Sequence, residues 1–141
     1  MIERDVRVTV NEGSSTLDSE IILYRGDGNI TFNFAIEDKR YRYKAPTNIV
    51  KSMNAQLGNA VIKKQDGEIL YSDFYEITED FILPITITKE MIDELTEVGT
   101  IMIQIHLYDG DGNRLTIPHF IMTVKSRVID EWGSQLWLKE I

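Results

Sequence analysis

From Thr100 to Lys125 apolar and polar positions alternate: Ile101, Ile103, Ile105 and Leu107 share one parity, while Met102, Gln104, His106 and Tyr108 share the other. A strand turns successive side chains to opposite faces, so this period of two predicts a half-buried β-strand. Asp109-Gly110-Asp111-Gly112-Asn113 follows, a run of residues that tolerate positive φ, and predicts a tight turn with Arg114 to Val124 as the returning arm. In that arm the phase slips, because Leu115 and Ile117 have one parity and Phe120, Met122 and Val124 the other. Pro118 sits at the slip and donates no ladder hydrogen bond, which suits a sheet edge, a bulge or a corner where a strand changes sheets. Two sheets packed as a sandwich explain the slip most simply.

The same alternation predicts strands at Val6 to Val10, Glu20 to Tyr24 and Ile30 to Glu37, separated by the polar clusters Asn11 to Ser15 and Arg25 to Asn29. Periodicity fades between Asp38 and Asn59, where a strand or short helical turn is expected around Ile49 to Leu57. Ala60 to Lys63 and Glu68 to Ser72 read as a second hairpin across Gln65-Asp66-Gly67, and Phe81 to Thr86 as a further strand. From Thr88 the spacing turns helical through Met91, Ile92 and Leu95 as far as Gly99, with Thr88 as the cap and Glu90 in the first turn. Short strands with one brief connecting helix predict an all-β sandwich, because an α/β fold would alternate helices regularly with strands. Residues 1–125 are expected to form that sandwich and 126–141 a tail that begins a helical linker. Val128, Ile129, Trp132, Leu136 and Trp137 approximate a helical stripe there, weakened by Gly133. The two tryptophans could cap the sandwich core or meet neighbouring chains, and Trp132, Leu136 and Trp137 are the candidate partner-binding residues.

At 141 residues and 43% apolar content the chain can fill one core without disulfides or metals, and it has no cysteine. That excludes thiolate catalysis and Cys-ligated zinc, and is compatible with a reducing cytoplasm. No apolar run reaches the roughly 20 residues of a membrane helix, and the first residues lack a signal-peptide core, so an unexported chain without a membrane partner is expected. The formal charge of -8 repels phosphate backbones, and no nucleic-acid partner is expected. One basic cluster, Lys39-Arg40-Tyr41-Arg42-Tyr43-Lys44, interleaves aromatics that could stack bases, but in so acidic a chain it reads first as a solvated strand edge.

Chemistry-bearing motifs fail on spacing. Counting from Asp109 as a calcium loop, the sixth position is Arg114 where glycine is needed, and the twelfth is Phe120 where a glutamate belongs. Gly26-Asp27-Gly28-Asn29 is followed by no helix that could present its amino terminus to a phosphate. His106 and His119 are expected to face each other across the hairpin, yet no third metal ligand accompanies them. No catalytic, cofactor-binding or metal residue is therefore assigned, and the chain is not expected to be an enzyme.

Four landmarks in order carry a resemblance: Ile21 to Phe34 as strand, Gly-Asp turn and strand; Ala60 to Gly67 as a strand ending in a Lys-x-Asp-Gly-type turn; the Thr88 to Gly99 helix; and Ile103 to Val124 with its Ile-Pro-x-Phe step. In that order they resemble the amino-terminal domain of the phage baseplate upper protein family, from tailed phages and prophages of Gram-positive bacteria. The resemblance spans Ile21 to Val124 and implies an immunoglobulin-like sandwich docked onto the distal tail protein. It also implies a following helical stretch, a region that holds receptor-binding proteins, and assembly in several copies around threefold symmetry. The expected location is the virion baseplate, after synthesis in the bacterial cytoplasm. Because the chain stops soon after Trp137, an excised or truncated form is expected, which puts direct attachment of receptor-binding proteins in doubt. A carbohydrate-binding sandwich is the alternative, with Tyr24, Tyr41, Tyr43, Tyr71, Tyr75 and Tyr108 as its aromatic candidates.

Overall fold

The computed structural model describes residues 2–39 and 45–126. Trp132, Leu136 and Trp137, and with them the C-terminal helix and nearly all of the 126–141 tail, lie outside those residues, as do Tyr41, Tyr43 and most of the basic cluster.

The chain is an all-β sandwich of two mixed sheets. Its first sheet runs in the order β2 (Ser14–Leu17), β1 (Ile2–Asn11), β4 (Ile30–Asp38) and β5 (Thr47–Asn48). The strand β9 (Leu83–Ile87) also pairs with β4, at the end away from β5. The second sheet runs β3 (Ile22–Tyr24), β12 (Phe120–Lys125), β10 (Gly99–Asp109), β6 (Ala55–Lys63) and β7 (Ile69–Tyr71). Here β11 (Arg114–Thr116) joins β10 and β8 (Tyr75–Glu76) joins β6. Two of the pairings are parallel, β1 with β4 and β12 with β3, and each requires the chain to leave the sheet and return. Two short helices, α1 (Ile49–Ser52) and α2 (Lys89–Asp93), span crossings between sheets.

Alternation explains the core. In β4, Phe32, Phe34 and Ile36 point inward and are fully buried, and in β10 the inward set is Ile101, Ile103, Ile105 and Leu107. Phe34 of the first sheet meets Phe120 of the second with ring centroids 5.8 Å apart, which ties the two layers together. Gly58 of β6 leaves room for the other layer: a Cβ there would stand 2.8 Å from Leu83 Cδ2 across the sandwich and 2.9 Å from the His106 carbonyl oxygen on the neighbouring strand. Thr88 caps α2 as expected, its Oγ1 accepting from the Met91 N–H at 3.2 Å, while Asn29 Oδ1 accepts from the Lys89 N–H at 2.7 Å. The helix has 5 residues, shorter than the helical spacing from Thr88 to Gly99 suggested, and it buries Ile92.

The slip at Pro118 has a different cause from a change of sheet. Both β11 and β12 pair with β10 in one sheet. Ile117 donates its N–H to the Ile105 carbonyl, and Phe120 stands opposite Ile103, so three steps on the returning arm match two on β10. One extra residue in the ladder is a bulge, and it swaps the parity of everything after it. His119 falls in that bulge, and His106 stands opposite Thr116, so the two histidines do not face each other. Leu115 is not buried with Ile117: it is 41% exposed, although it stands opposite the buried Leu107.

Candidate docking face

The outer faces of the two sheets differ. On the first sheet most outward residues are polar, and several satisfy one another: Arg7 pairs with Glu37 at 3.6 Å, Asn33 Nδ2 donates to Asp5 at 3.1 Å, and the hydroxyls of Thr31 and Thr86 bond at 2.8 Å. A half-buried sheet is expected to look like this on its solvent side.

On the second sheet the ladder aligns apolar residues in rows across the outer face. Met102 of β10 stands between Ile121 of β12 and Lys63 of β6, and Lys63 stands beside Ile69 of β7. The next row sets Gln104 against Val61 and Tyr71, then His106 against Asn59, and the last sets Tyr108 between Arg114 and Leu57. Tyr71, Phe74 and Ile121 are 69%, 59% and 55% exposed, and Met102 and Ile69 are exposed as well. Isolated exposed apolar residues are ordinary, whereas several in register on one face mark a surface that excludes water against something.

Phe74 reaches this face because of a second bulge. Between the pairs Val61 with Tyr71 and Gly58 with Tyr75, three steps on β6 face four on the returning chain. Ser72 holds the bulge in place: its Oγ accepts from the Ala60 N–H and donates to the Asp73 carbonyl, both at 2.8 Å. Re-aimed in this way, Phe74 packs edge-on against Tyr108 with centroids 5.6 Å apart. Asn59 is buried in the same face, and its Oδ1 has no partner among the described residues. His106 Nε2 lies 3.2 Å from Gln104 Oε1, and burial, with the Arg114 charge second, lowers its pKa below 6.5.

The remaining candidates have other employment. The Asp109 carboxylate accepts from the N–H groups of Asp111 and Asn113 at 2.9 Å and from Asn113 Nδ2 at 3.0 Å, so the Asp-rich turn is held by its own amides. Those bonds, the one to the Asn113 side chain foremost, hold Asp109 below its ordinary carboxylate pKa. Among the described residues no group of three or more His, Asp or Glu is placed to hold a metal ion. The tyrosines proposed for a sugar platform are dispersed. Tyr24 on β3 and Tyr71 on β7 occupy opposite edges of the sheet, about 19 Å apart across the strands alone at ~4.8 Å per strand, and the half-buried Tyr75 donates its hydroxyl to the Thr86 carbonyl at 3.2 Å. A cleft of about 380 Å³ opens at one end of the sandwich, where Val10, Ile49, Met53, Leu115 and Ile117 line it together with Glu12 and Asp38. Among the described residues no helix is long and apolar enough to cross a membrane.

Sequence reading placed Met102, His106 and Tyr108 on this outward parity but did not mark it as a site. Its apolar members come from β7, β10, β12 and the Phe74 bulge, so only the pairing register assembles them.

No protein-family model matches the chain, and no curated protein matches it. Among solved structures it is similar to the N-terminal domain of phage TP901-1 ORF48, with a TM-score of 0.58 and 12% identity over 89% of this chain and 99% of that domain. At that identity the likeness is one of fold.

Proposed function

We propose that the chain is a structural component of a phage tail baseplate, whose sandwich docks onto other tail proteins, the distal tail protein first, and helps to support receptor-binding proteins for host adsorption. The observation that carries the reading is the outer face of the β10 sheet, apolar in register and served by two bulges, beside a first sheet several of whose polar groups satisfy each other. Two further lines support it. The order of landmarks from Ile21 to Val124 resembles the baseplate upper protein family, and the solved domain of similar fold belongs to a phage protein. Trp132, Leu136 and Trp137 would add a second contact, on the tail that follows β12, with a trimer as the favoured assembly. The virion is the corresponding location.

Size-exclusion chromatography with light scattering, run on the chain alone and with a phage distal tail protein, tests this role. A complex of defined mass is expected. Persistent elution of the two proteins apart at concentrations of about 100 μM would refute it, since even weak tail contacts hold at that level.

A further inference from the structure

We infer that the outer face of the β10 sheet is the docking surface, and that its occupant is a protein surface with an apolar centre and carboxylates set around it. This rests on the structural role proposed above and names the surface and the chemistry of its partner.

Charge points to that chemistry. The chain carries 15 Lys and Arg against 23 Asp and Glu; among the described residues Arg7 pairs with Glu37, Lys64 with Glu68 and Lys89 with Asp93, Arg4 donates to the Glu20 carbonyl, and Lys51 lies over the Phe81 ring. Lys63, Arg114 and Lys125 all have outward positions on the β10 sheet, and among the described residues none of them forms an ion pair. Lys63 is decisive because it stands in the row between Met102 and Ile69. A partner that covers this row either leaves the ammonium at the rim or buries it, and a buried unpaired charge is far costlier than a paired one. Carboxylates on the partner resolve that conflict, whereas a purely apolar surface would not.

Dimensions agree with an apolar centre inside a polar rim. Met102 to Tyr108 spans about 20 Å along the strand and β12 to β7 about 14 Å across, giving roughly 300 Å². A stable interface takes roughly 800 Å² from each partner, so the contact must extend beyond the rows that hold Lys63 and Arg114, toward Lys125 and the polar residues around them. A second copy of this chain fits less well, because a two-fold contact through this face meets the same three cations with only Glu76 in the rows and Glu20, which accepts from the outward Thr123 hydroxyl, at the edge.

The test measures affinity of the full chain for the distal tail protein by isothermal titration calorimetry. Met102→Glu and Lys63→Glu alter the face, and Glu3→Lys alters the exposed outer face of the first sheet. The face variants should each bind at least about tenfold more weakly, Glu3→Lys should stay within about twofold, and wild-type affinity should fall as salt rises from about 50 to 500 mM. Thermal melts check that exposed substitutions leave the fold intact, and Lys63→Arg, which keeps the charge, should keep most of the affinity. Wild-type binding that survives both face variants overturns the surface while leaving the tail role standing. Absence of wild-type binding removes the role and the surface together. Self-association of the chain alone that Met102→Glu abolishes would overturn the assigned partner, as would oligosaccharide binding that Tyr71→Ala abolishes.

Discussion

Replacing Gly58 with alanine sets two opposing effects against each other. The backbone at Gly58 is outside the positive-φ region, so alanine can adopt it, and fewer unfolded conformations should stabilise the variant by about 0.4–1 kcal/mol. Against this, the new carbon would stand 2.8 Å from Leu83 Cδ2 and 2.9 Å from the His106 carbonyl oxygen. Ordinary carbon–carbon contacts lie near ~3.5–4.0 Å, so the overlap with Leu83 is close to an ångström, and the contact with the carbonyl oxygen is too short as well. Leu83 is fully buried and the carbonyl belongs to β10, so neither can retreat freely. Overpacking of this kind costs about 1–3 kcal/mol, which exceeds the entropic gain and leaves Gly58→Ala destabilised by roughly 1–2 kcal/mol. Urea unfolding followed by far-UV circular dichroism should show a lower midpoint with an unchanged slope. In a Leu83→Ala background the penalty should shrink, because half of the crowding is gone. A midpoint at or above wild type would refute the close approach of the two layers at this position.

Three further outcomes follow from the described contacts. Phe34→Ala should cost about 3–5 kcal/mol in urea titrations, and a double-mutant cycle with Phe120→Ala should return a coupling of about 0.5–1.5 kcal/mol; additivity would mean that the rings do not join the sheets. Thr88→Ala removes the acceptor for the Met91 N–H and should cost about 1 kcal/mol, while Thr88→Ser restores most of it. His106 has a pKa lowered from 6.5, so the unfolded chain takes its proton first as pH falls. Stability should therefore be lost as pH drops through 6.5 toward the folded value, and His106→Gln should flatten the dependence between about pH 7.5 and 5.5; equal slopes would count against it.

The elements best marked in the sequence are those with one wet face. β4 and β10 show clean alternation and appear close to their expected bounds, and α2 appears where Thr88 offers a cap. β6 was expected only from Ala60, because Gly58 and Asn59 interrupt the alternation and Asn59 is buried on the outward parity. The parallel partners of β1 and β12 were not legible, since they depend on where the chain returns rather than on local pattern. For the same reason the candidate face was hidden: Ile121, Met102, Ile69 and Tyr71 are scattered in sequence and meet only through register, and Phe74 is turned outward by a bulge with no signal of its own.

The position of β12 between β3 and β10 bears on how the protein is made. A ribosome delivers β3 and β10 before the strand that joins them, so both wait with an unpaired edge and the inward row from Ile101 to Leu107 without its full cover. From β3 to β12 the interval is roughly a hundred residues, or roughly 5–20 s at ordinary elongation rates. Through that time β3 waits without its partner, joined for about the last ten residues by the edge of β10, and both are open to pairing with neighbours on a polysome. Yield in the cell then depends on what shelters those edges, and slower translation lengthens the exposure.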